Sequence, residues 1–534
     1  MTLAMLRRTA GGLATVLALA APPLAGQRGP ADLVLRHGKV VTVDDKLPMA
    51  QAVAVKDGRI LAVGSDAEIG KLIGGATRVI ELNGRLAVPG LIEGHGHYLG
   101  LGAAKMQLDL TKARNFDDIV AMVGEAAKKA KPGEWITGRG WHQEKWDRVP
   151  QPNVEGVPLH AALDAVSPDN PVVLTHASGH AGFANGKALA LAGITRETPA
   201  PPGGDIVKDA AGEPTGLLRE TAQRLVGQAL GRSRAGRPAA EAEAEMRKQV
   251  ELAGHEALSK GITTFHDAGS SFATIDLFRK MADEGKLPVR LYVMARNQTN
   301  EEYDRLLPKY RMIGYGRGFL TVRSIKHAID GALGPHGAWL LEPYTDMPSS
   351  TGNNTTDLDV IRRTAEIALK YDFQLNTHAI GDRGNREILD IYEAAFRAHP
   401  EKKDTRWRIE HAQHVSPQDV PRFKQLGIIA SMQGIHATSD GPYVPKRLGD
   451  KRAKEESYLW RTFLDEGVVV TNGTDTPVED VDPLASFYAS VTRRMKNGEY
   501  FYPEQRMTRE EALRSYTLSN AYAAFEENVK GSLT

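Results

Sequence analysis

From about residue 240 onward the chain alternates helical and strand-like segments without a break, and this alternation restricts its fold more than any other feature. Seven short runs rich in β-branched and aromatic residues read as strands: Ile262-Thr-Thr-Phe-His, Val289-Arg-Leu-Tyr-Val, Thr321-Val-Arg-Ser-Ile-Lys, Phe373-Gln-Leu-Asn-Thr-His, Trp407-Arg-Ile-Glu-His, Ile428-Ile-Ala-Ser-Met and Val468-Val-Val-Thr-Asn. Helical stretches such as Glu241–Ser259, Leu358–Lys370 and Arg383–Ala398 lie between them. Several end in a stop (Lys260-Gly261, Leu426-Gly427, Glu466-Gly467) just before the next strand, where glycine takes the left-handed conformation without a Cβ clash. An eighth apolar run, Arg85-Leu-Ala-Val-Pro-Gly-Leu-Ile92, leads into Glu93-Gly-His-Gly-His97. Eight strand–helix units predict an α/β fold, a (β/α)8 TIM-type barrel.

One interval does not fit a plain barrel. From His97 to Ile262 the chain runs for more than 160 residues, whereas one helical crossover needs only a few dozen. Residues 110–235 are therefore expected to form an inserted domain after strand 1, over the face where barrel enzymes keep their chemistry. Residues 27–87 read as short alternating strands with a hairpin signal at Lys56-Asp57-Gly58, the N-terminal part of a small β-sandwich. Residues 88–109 carry the first barrel strand and the histidine motif, 236–526 the rest of the barrel, and 527–534 the start of a return to the sandwich.

The extreme N-terminus has the form of a secretory signal peptide over 1–26. Arg7 and Arg8 precede the apolar run Gly12–Ala20 and the small residues up to Gly26. The run is shorter than the ~20 apolar residues that span a bilayer, so an exported, periplasmic or secreted protein is expected, free of the membrane once cleaved. The 67 basic and 66 acidic residues nearly cancel, so there is no field for nucleic acid or an anionic membrane. With no cysteine, disulfides, thiolate metal sites and a thiol nucleophile are excluded together. Any metal must be held by His, Asp, Glu or a modified Lys. Homo-oligomerisation is left open.

Five strand ends offer such groups. His95 and His97 are two apart, so on a strand both point to one side, with Gly94 and Gly96 leaving room; on a helix they would diverge by about 200°. Later strand ends present Lys326, His378, His411 and Asp475. Four histidines and an aspartate at the C-terminal ends of barrel strands make an N/O donor set suited to Zn2+ or a similar ion. His414 lies off the parity of His411 and reads as a supporting or surface residue. Asp330 and Arg383, just beyond ligand strands, and Trp141, His142 and His180 of the insertion are candidate substrate contacts.

The ordered set His-x-His…Lys…His…His…Asp resembles the amidohydrolase superfamily. Val88-Pro-Gly-Leu-Ile-Glu-Gly-His-Gly-His, Gly261-Ile-Thr-Thr-Phe-His-Asp-Ala-Gly, Lys326-His-Ala-Ile-Asp-Gly, His378-Ala-Ile-Gly-Asp-Arg and Asn472-Gly-Thr-Asp475 are similar to its large-insertion branch, amidohydrolase family 3, which includes N-substituted formamide deformylase-like proteins. The resemblance implies two divalent ions, Zn2+ by preference. His95, His97 and Asp475 would hold the first and His378 and His411 the second, with a CO2-derived carbamate on Lys326 bridging both. It implies a hydrolase acting on a small amide-like molecule (amide, N-acyl or N-formyl) through a metal-bridging hydroxide, with Asp475 as the catalytic proton shuttle. An esterase or lactonase, or a deaminase, would use the same site; a secreted binding protein without turnover is the reading from a different class. Two departures stand out: Glu93 occupies a position where the family often has Asp, and relatives continue from a similar Lys530-Gly-Ser-Leu into strands that complete the sandwich. The small domain is therefore expected to be incomplete at the C-terminus, with exposed strand edges that threaten solubility.

Overall fold

A computed structural model describes residues 29–534. The signal-peptide reading at 1–26 lies outside the described residues. The chain divides into two compact units: one runs up to Thr42 and takes in Lys46–Ala87 and Leu533–Thr534, the other comprises Val43–Asp45 and Val88–Ser532.

The smaller unit carries two small sheets. One has four strands in the order Arg59–Gly64, Ala52–Lys56, Leu33–Arg36, Arg78–Glu81; the other has three, Met49–Ala50, Lys39–Val41 and Leu86–Ala87. Lys56 pairs with Arg59 across a two-residue turn in which Asp57 (φ 52°) and Gly58 (φ 71°) are both left-handed, the geometry that matches strand twist. Val34, Ala52, Ala54 and Ile69 are buried between these elements. Near the chain end Leu533 donates its N–H to the carbonyl of Thr42 at 2.8 Å.

The larger unit is a TIM-type barrel. Its eight parallel strands, in sequence and spatial order, are β1 (Leu91–Gly96), β2 (Ile262–Ser270), β3 (Arg290–Ala295), β4 (Leu320–Ala328), β5 (Gln374–Ala379), β6 (Arg408–His411), β7 (Ile429–Gln433) and β8 (Val470–Gly473). They are short and almost wholly buried, as strands covered on both faces must be. The seam between β8 and β1 is closed by backbone and side chain together. Asp475 N–H donates to the His95 carbonyl at 2.8 Å, His97 N–H to the Thr476 carbonyl at 2.7 Å, and the Asn520 amide bridges the carbonyls of Ile92 (2.8 Å) and Asn472 (2.9 Å). On the other side of β1, toward β2, position 96 admits no Cβ, since one would lie 2.6 Å from the Phe265 ring. Gly427 (φ 69°) ends helix Val420–Leu426 in the left-handed conformation and turns the chain into β7.

Between β1 and β2 the chain builds a six-stranded sheet in the order Gly204–Lys208, Pro214–Glu220, Ala181–Ala184, Val172–His176, Ile136–Trp141, Leu108–Asp109. Helix Phe116–Ala127, capped by Asn115, lays Phe116, Ile119 and Val123 against Leu174 and Phe183 in a core of its own. Among the described residues, no helix is long and apolar enough to cross a membrane.

Candidate metal centre

The barrel brings His95, His97, Lys326, His378, His411 and Asp475 to one end of its strands. Imidazole ring centroids lie 5.9 Å apart for His95 and His97, 4.6 Å for His95 and His411, and 4.5 Å for His378 and His411. Asp475 Oδ1 stands 3.2 Å from His97 Nε2 and 3.5 Å from His95 Nε2, and Lys326 Nζ is 3.4 Å from His95 Nε2. All but His97 are deeply buried; the His97 side chain keeps 31% of its exposure and forms the open edge of the group. Two of the six sit at left-handed backbone, His411 (φ 77°) and Asp475 (φ 56°), an uncommon conformation for residues with a Cβ that clusters at functional sites. At β6 this matters directly. Strand alternation sends Glu410 and His411 to opposite sides, and the turn in the backbone at His411 and Ala412 (φ 42°) returns the His411 ring to the group.

Hydrogen bonds on the far ring nitrogens set which nitrogen faces inward. His95 Nδ1 is bonded to Glu410 Oε2, and His411 Nδ1 to Gln433 Oε1 at 2.8 Å, so in both rings Nε2 is left with its lone pair toward the centre. Burial pushes His95 down to about 4 and, with the charge of neighbouring groups, His378 and His411 well below the usual imidazole range, so these rings are neutral at neutral pH. Burial opposes ionisation of Glu410 and Asp475, but the hydrogen bonds and electrostatics of the groups around them prevail. The His95 contact holds Glu410 at about 2, and His97 with His95 and His411 holds Asp475 well below the carboxylate range. Burial, reinforced by Arg296 and opposed by Glu410, lowers the Lys326 amine to about 8.

Asp475 Oδ1 meets the ring nitrogens of His97 and His95, and His378 Nε2 and His436 Nε2 are buried without a hydrogen-bond partner among the described residues. Leaving such atoms unpaired costs about 1–3 kcal/mol each, a cost a divalent cation among them removes. Two groups of donor atoms, His95/His97/Asp475 and His411/His436/Asp475, lie within 4.8 Å of one another. Neutral imidazoles, an ionised carboxylate and orphaned buried donors fit divalent metal ions.

The residues expected over the substrate divide. Trp141 is a correction: it does not face the centre but sits in the core of the inserted sheet, its indole donating to the Leu174 carbonyl at 2.9 Å and packing against Trp146 and Phe183. Asp330 borders the cavity above the centre, yet its oxygens are spent on the backbone N–H groups of Trp339, Ile380 and Gly381 at 2.7–3.0 Å. It is a loop anchor, not a free substrate contact. His180 does face the cavity, 5.1 Å from the His378 ring and ion-paired with Glu220 at 2.7 Å. Burial alone would lower its pKa, but Glu220 raises it above the usual range. His142 borders a small side cavity shared with His436 and packs on His176 and Tyr443. His414 is fully buried, bonded to Ser457 at 2.9 Å, so it is neither on the surface nor at the centre. Arg383 pairs with Glu387 at 2.8 Å. Glu93 accepts from the backbone N–H of Thr474 (2.6 Å) and from its hydroxyl (3.0 Å), supporting the Asp475 loop. Reasoning from sequence missed Glu410, Gln433 and His436. Glu410 and Gln433 occupy strand positions but act on histidines of other strands, and His436 lies three residues beyond β7, in helix Gly434–Asp440, where a strand-end rule does not look.

The sequence model of the amidohydrolase family matches residues 78–534. The protein LONG AFTER FAR-RED 3 of Arabidopsis thaliana is 35% identical over 516 residues, covering 94% of this chain and 85% of that protein. The N-substituted formamide deformylase of Arthrobacter pascens is 29% identical, covering 94% and 91%. The crystal structure of an uncharacterized metal-dependent hydrolase from Pyrococcus horikoshii has the same fold, with a TM-score of 0.73 at 23% identity over 94% of both chains.

Proposed function

This chain belongs to the amidohydrolase family and is a metal-dependent hydrolase; we propose that it cleaves the C–N bond of a small amide, N-acyl or N-formyl compound. The observation that carries this reading is the buried Asp475 carboxylate, its Oδ1 3.2 Å from His97 Nε2, bordering the same cavity as Lys326, His378 and His411. Amide hydrolysis requires one group that takes a proton from water and returns it to the departing nitrogen, because an unprotonated amine leaves poorly. Asp475, ionised at neutral pH, can do both.

The residues that would hold two divalent ions, with Zn2+ proposed as one that suits imidazole and carboxylate donors, are His95, His97 and Asp475 on one side and His378 and His411 on the other, with His436 a further candidate. When bound, such ions supply Lewis acidity toward a carbonyl oxygen and lower the pKa of water. Lys326, its amine lowered to about 8, keeps a free-base fraction at neutral pH, and a free base is what adds CO2 to form a carbamate. As a carbamate it would exchange a buried cation for an anionic oxygen donor. His180, with its pKa raised by Glu220, can donate a hydrogen bond to substrate from the cavity wall. The N-terminal pattern of Arg7, Arg8 and Gly12–Ala20 supports a further proposal, export from the cytoplasm.

A panel of formamides, N-acyl compounds, esters, lactones and cyclic amidines, offered to the Zn2+-loaded protein with amine, acid and ammonia each detected, tests the reading. Release of free amine from an amide or formamide is the expected result. Turnover confined to esters and lactones, or ammonia release from amidines alone, would overturn it.

A further inference from the structure

The cavity above the centre, about 630 Å3, is bordered by Arg139, Arg224 and Arg296, three guanidinium groups that the hydrolytic chemistry does not use. Arg296 directly follows the last residue of β3, so it stands at the same barrel end as the histidines. Its stem packs over Gly269, where a Cβ would collide with it, and its half-buried guanidinium makes no hydrogen bond or ion pair among the described residues. Arg224 enters from the insertion, at the second position of helix Gln223–Arg234; it is exposed and likewise unpaired. Arg139 is fixed by backbone alone. Its Nη2 donates to the Ala177 carbonyl at 2.9 Å and its Nε to the Pro477 carbonyl at 3.4 Å, beside the Asp475 loop, with no carboxylate partner.

Among the described residues the acidic groups at the same cavity pair with other partners and not with these three guanidinium groups, although Glu220 Oε1 has no hydrogen-bond partner. Glu220 is bonded to His180, Asp330 to three backbone amides, and Asp475 stands against His95 and His97. Removal of a guanidinium from water without a paired anion is unfavourable, and burial lowers both Arg139, to about 10, and Arg296, against the more distant attraction of Asp475 for both and of Asp267 for Arg296. A ligand carboxylate offers the missing counter-charge, and the planar fork of arginine binds carboxylates in two-point fashion. A cavity of this size is in the range of small-molecule sites and has room for an acyl group at the histidines and an anionic part beyond them.

We propose that Arg296 and Arg224, backed by Arg139, form an anion subsite, and that the substrate is an amide bearing a carboxylate on its amine side, of which an N-acyl amino acid is the simplest. The substrate class rests on the C–N hydrolase reading above; the subsite does not.

The test uses the full-length protein, first stripped of metal by a chelator so that metal–carboxylate attraction is absent. N-formyl-, N-acetyl- and N-benzoylglycine, each beside its neutral carboxamide, are titrated calorimetrically. Loss of a charge-assisted hydrogen bond corresponds to about a tenfold to hundredfold change, so at least one carboxylate is expected to bind that much more tightly than its carboxamide. Arg296→Gln and Arg224→Gln should each reduce the preference and the double variant abolish it, while Arg296→Lys restores part of it. Because Arg224 is exposed, its variant does not threaten folding, and circular dichroism checks the others. In the Zn2+-loaded enzyme the same substitutions should raise KM for the carboxylate member of a pair more than they lower kcat. Equal affinity within every pair, including no binding by any probe, overturns the subsite, as does a preference that survives in the double variant. Arginine-dependent binding with no amide cleaved would leave the subsite standing and sink the C–N reading. Cleavage that ignores the carboxylate and the arginines would do the reverse.

Discussion

Replacement of Glu410 by Gln separates the geometry of the centre from its mere donor count. Glu410 and His95 are both fully buried, and the carboxylate accepts the Nδ1–H of His95, which keeps Nε2 as the lone-pair nitrogen facing Asp475 and Lys326. Held at about 2, Glu410 is ionised at any working pH, so its hydrogen bond to His95 is charge-assisted, a type that contributes roughly 1.5–3 kcal/mol. The amide isostere keeps the volume, removes the charge, and can present an N–H that favours the wrong His95 tautomer. At about 1.4 kcal/mol per factor of ten, the dissociation constant for Zn2+ should rise about tenfold to hundredfold. Competition against a chromophoric chelator measures it, with circular dichroism confirming an unchanged fold. Glu93→Gln is the internal control. Burial pushes Glu93 up to about 8, so at neutral pH it is largely a neutral acid, which an amide imitates on the Thr474 N–H and hydroxyl. Its variant should shift the constant less than about threefold, as expected for a neutral replacement. An unchanged constant in Glu410→Gln, or equal losses in both variants, would refute the argument that His95 is oriented by a charged partner.

The parent is expected to bind two Zn2+ and Lys326→Ala one, and the carbamate carbon signal expected after incubation with 13C-bicarbonate should vanish in the variant; two ions retained without Lys326 would remove the bridge. Asp475→Asn should lose about 10²–10⁴-fold in kcat on whichever substrate the panel identifies, and a loss below tenfold would deny it the proton transfer. Burial lowers His95, His327 and His336 from 6.5 to about 4. Between these values the unfolded chain holds more protons than the folded one, so stability is complete above about pH 6.5 and is lost as pH falls toward 4. Metal-free protein should show a falling Tm across that window, and a flat profile would contradict neutral buried imidazoles. Trp141→Ala should destabilise the protein by about 3–5 kcal/mol by leaving a cavity in the inserted core, read as a lower Tm; loss of substrate affinity with stability intact would restore Trp141 to the substrate.

The sequence by itself determined what depends on local periodicity. Two-residue parity carried His95 and His97 to one side, glycine stops marked where helices hand over to strands, and β-branched runs between them located the eight barrel strands together with the ends at which Lys326, His378, His411 and Asp475 gather. The tertiary structure alone decided which atoms meet across the barrel. Glu410 reaches His95 over a separation of 315 residues, and Gln433 meets His411 across strands, contacts created by closure of the barrel and invisible to any window along the chain. Parity also fails where the backbone turns left-handed: His411 stays at the centre against the alternation of its strand, while Trp141 belongs to a sheet whose inner face could be identified only once the inserted domain had a core of its own. The three arginines come from β3, the insertion sheet and an insertion helix, so their meeting in one cavity was likewise decided by packing. Periodicity is a property of consecutive residues, and the pairing of charges and donors is a property of surfaces brought together by the fold.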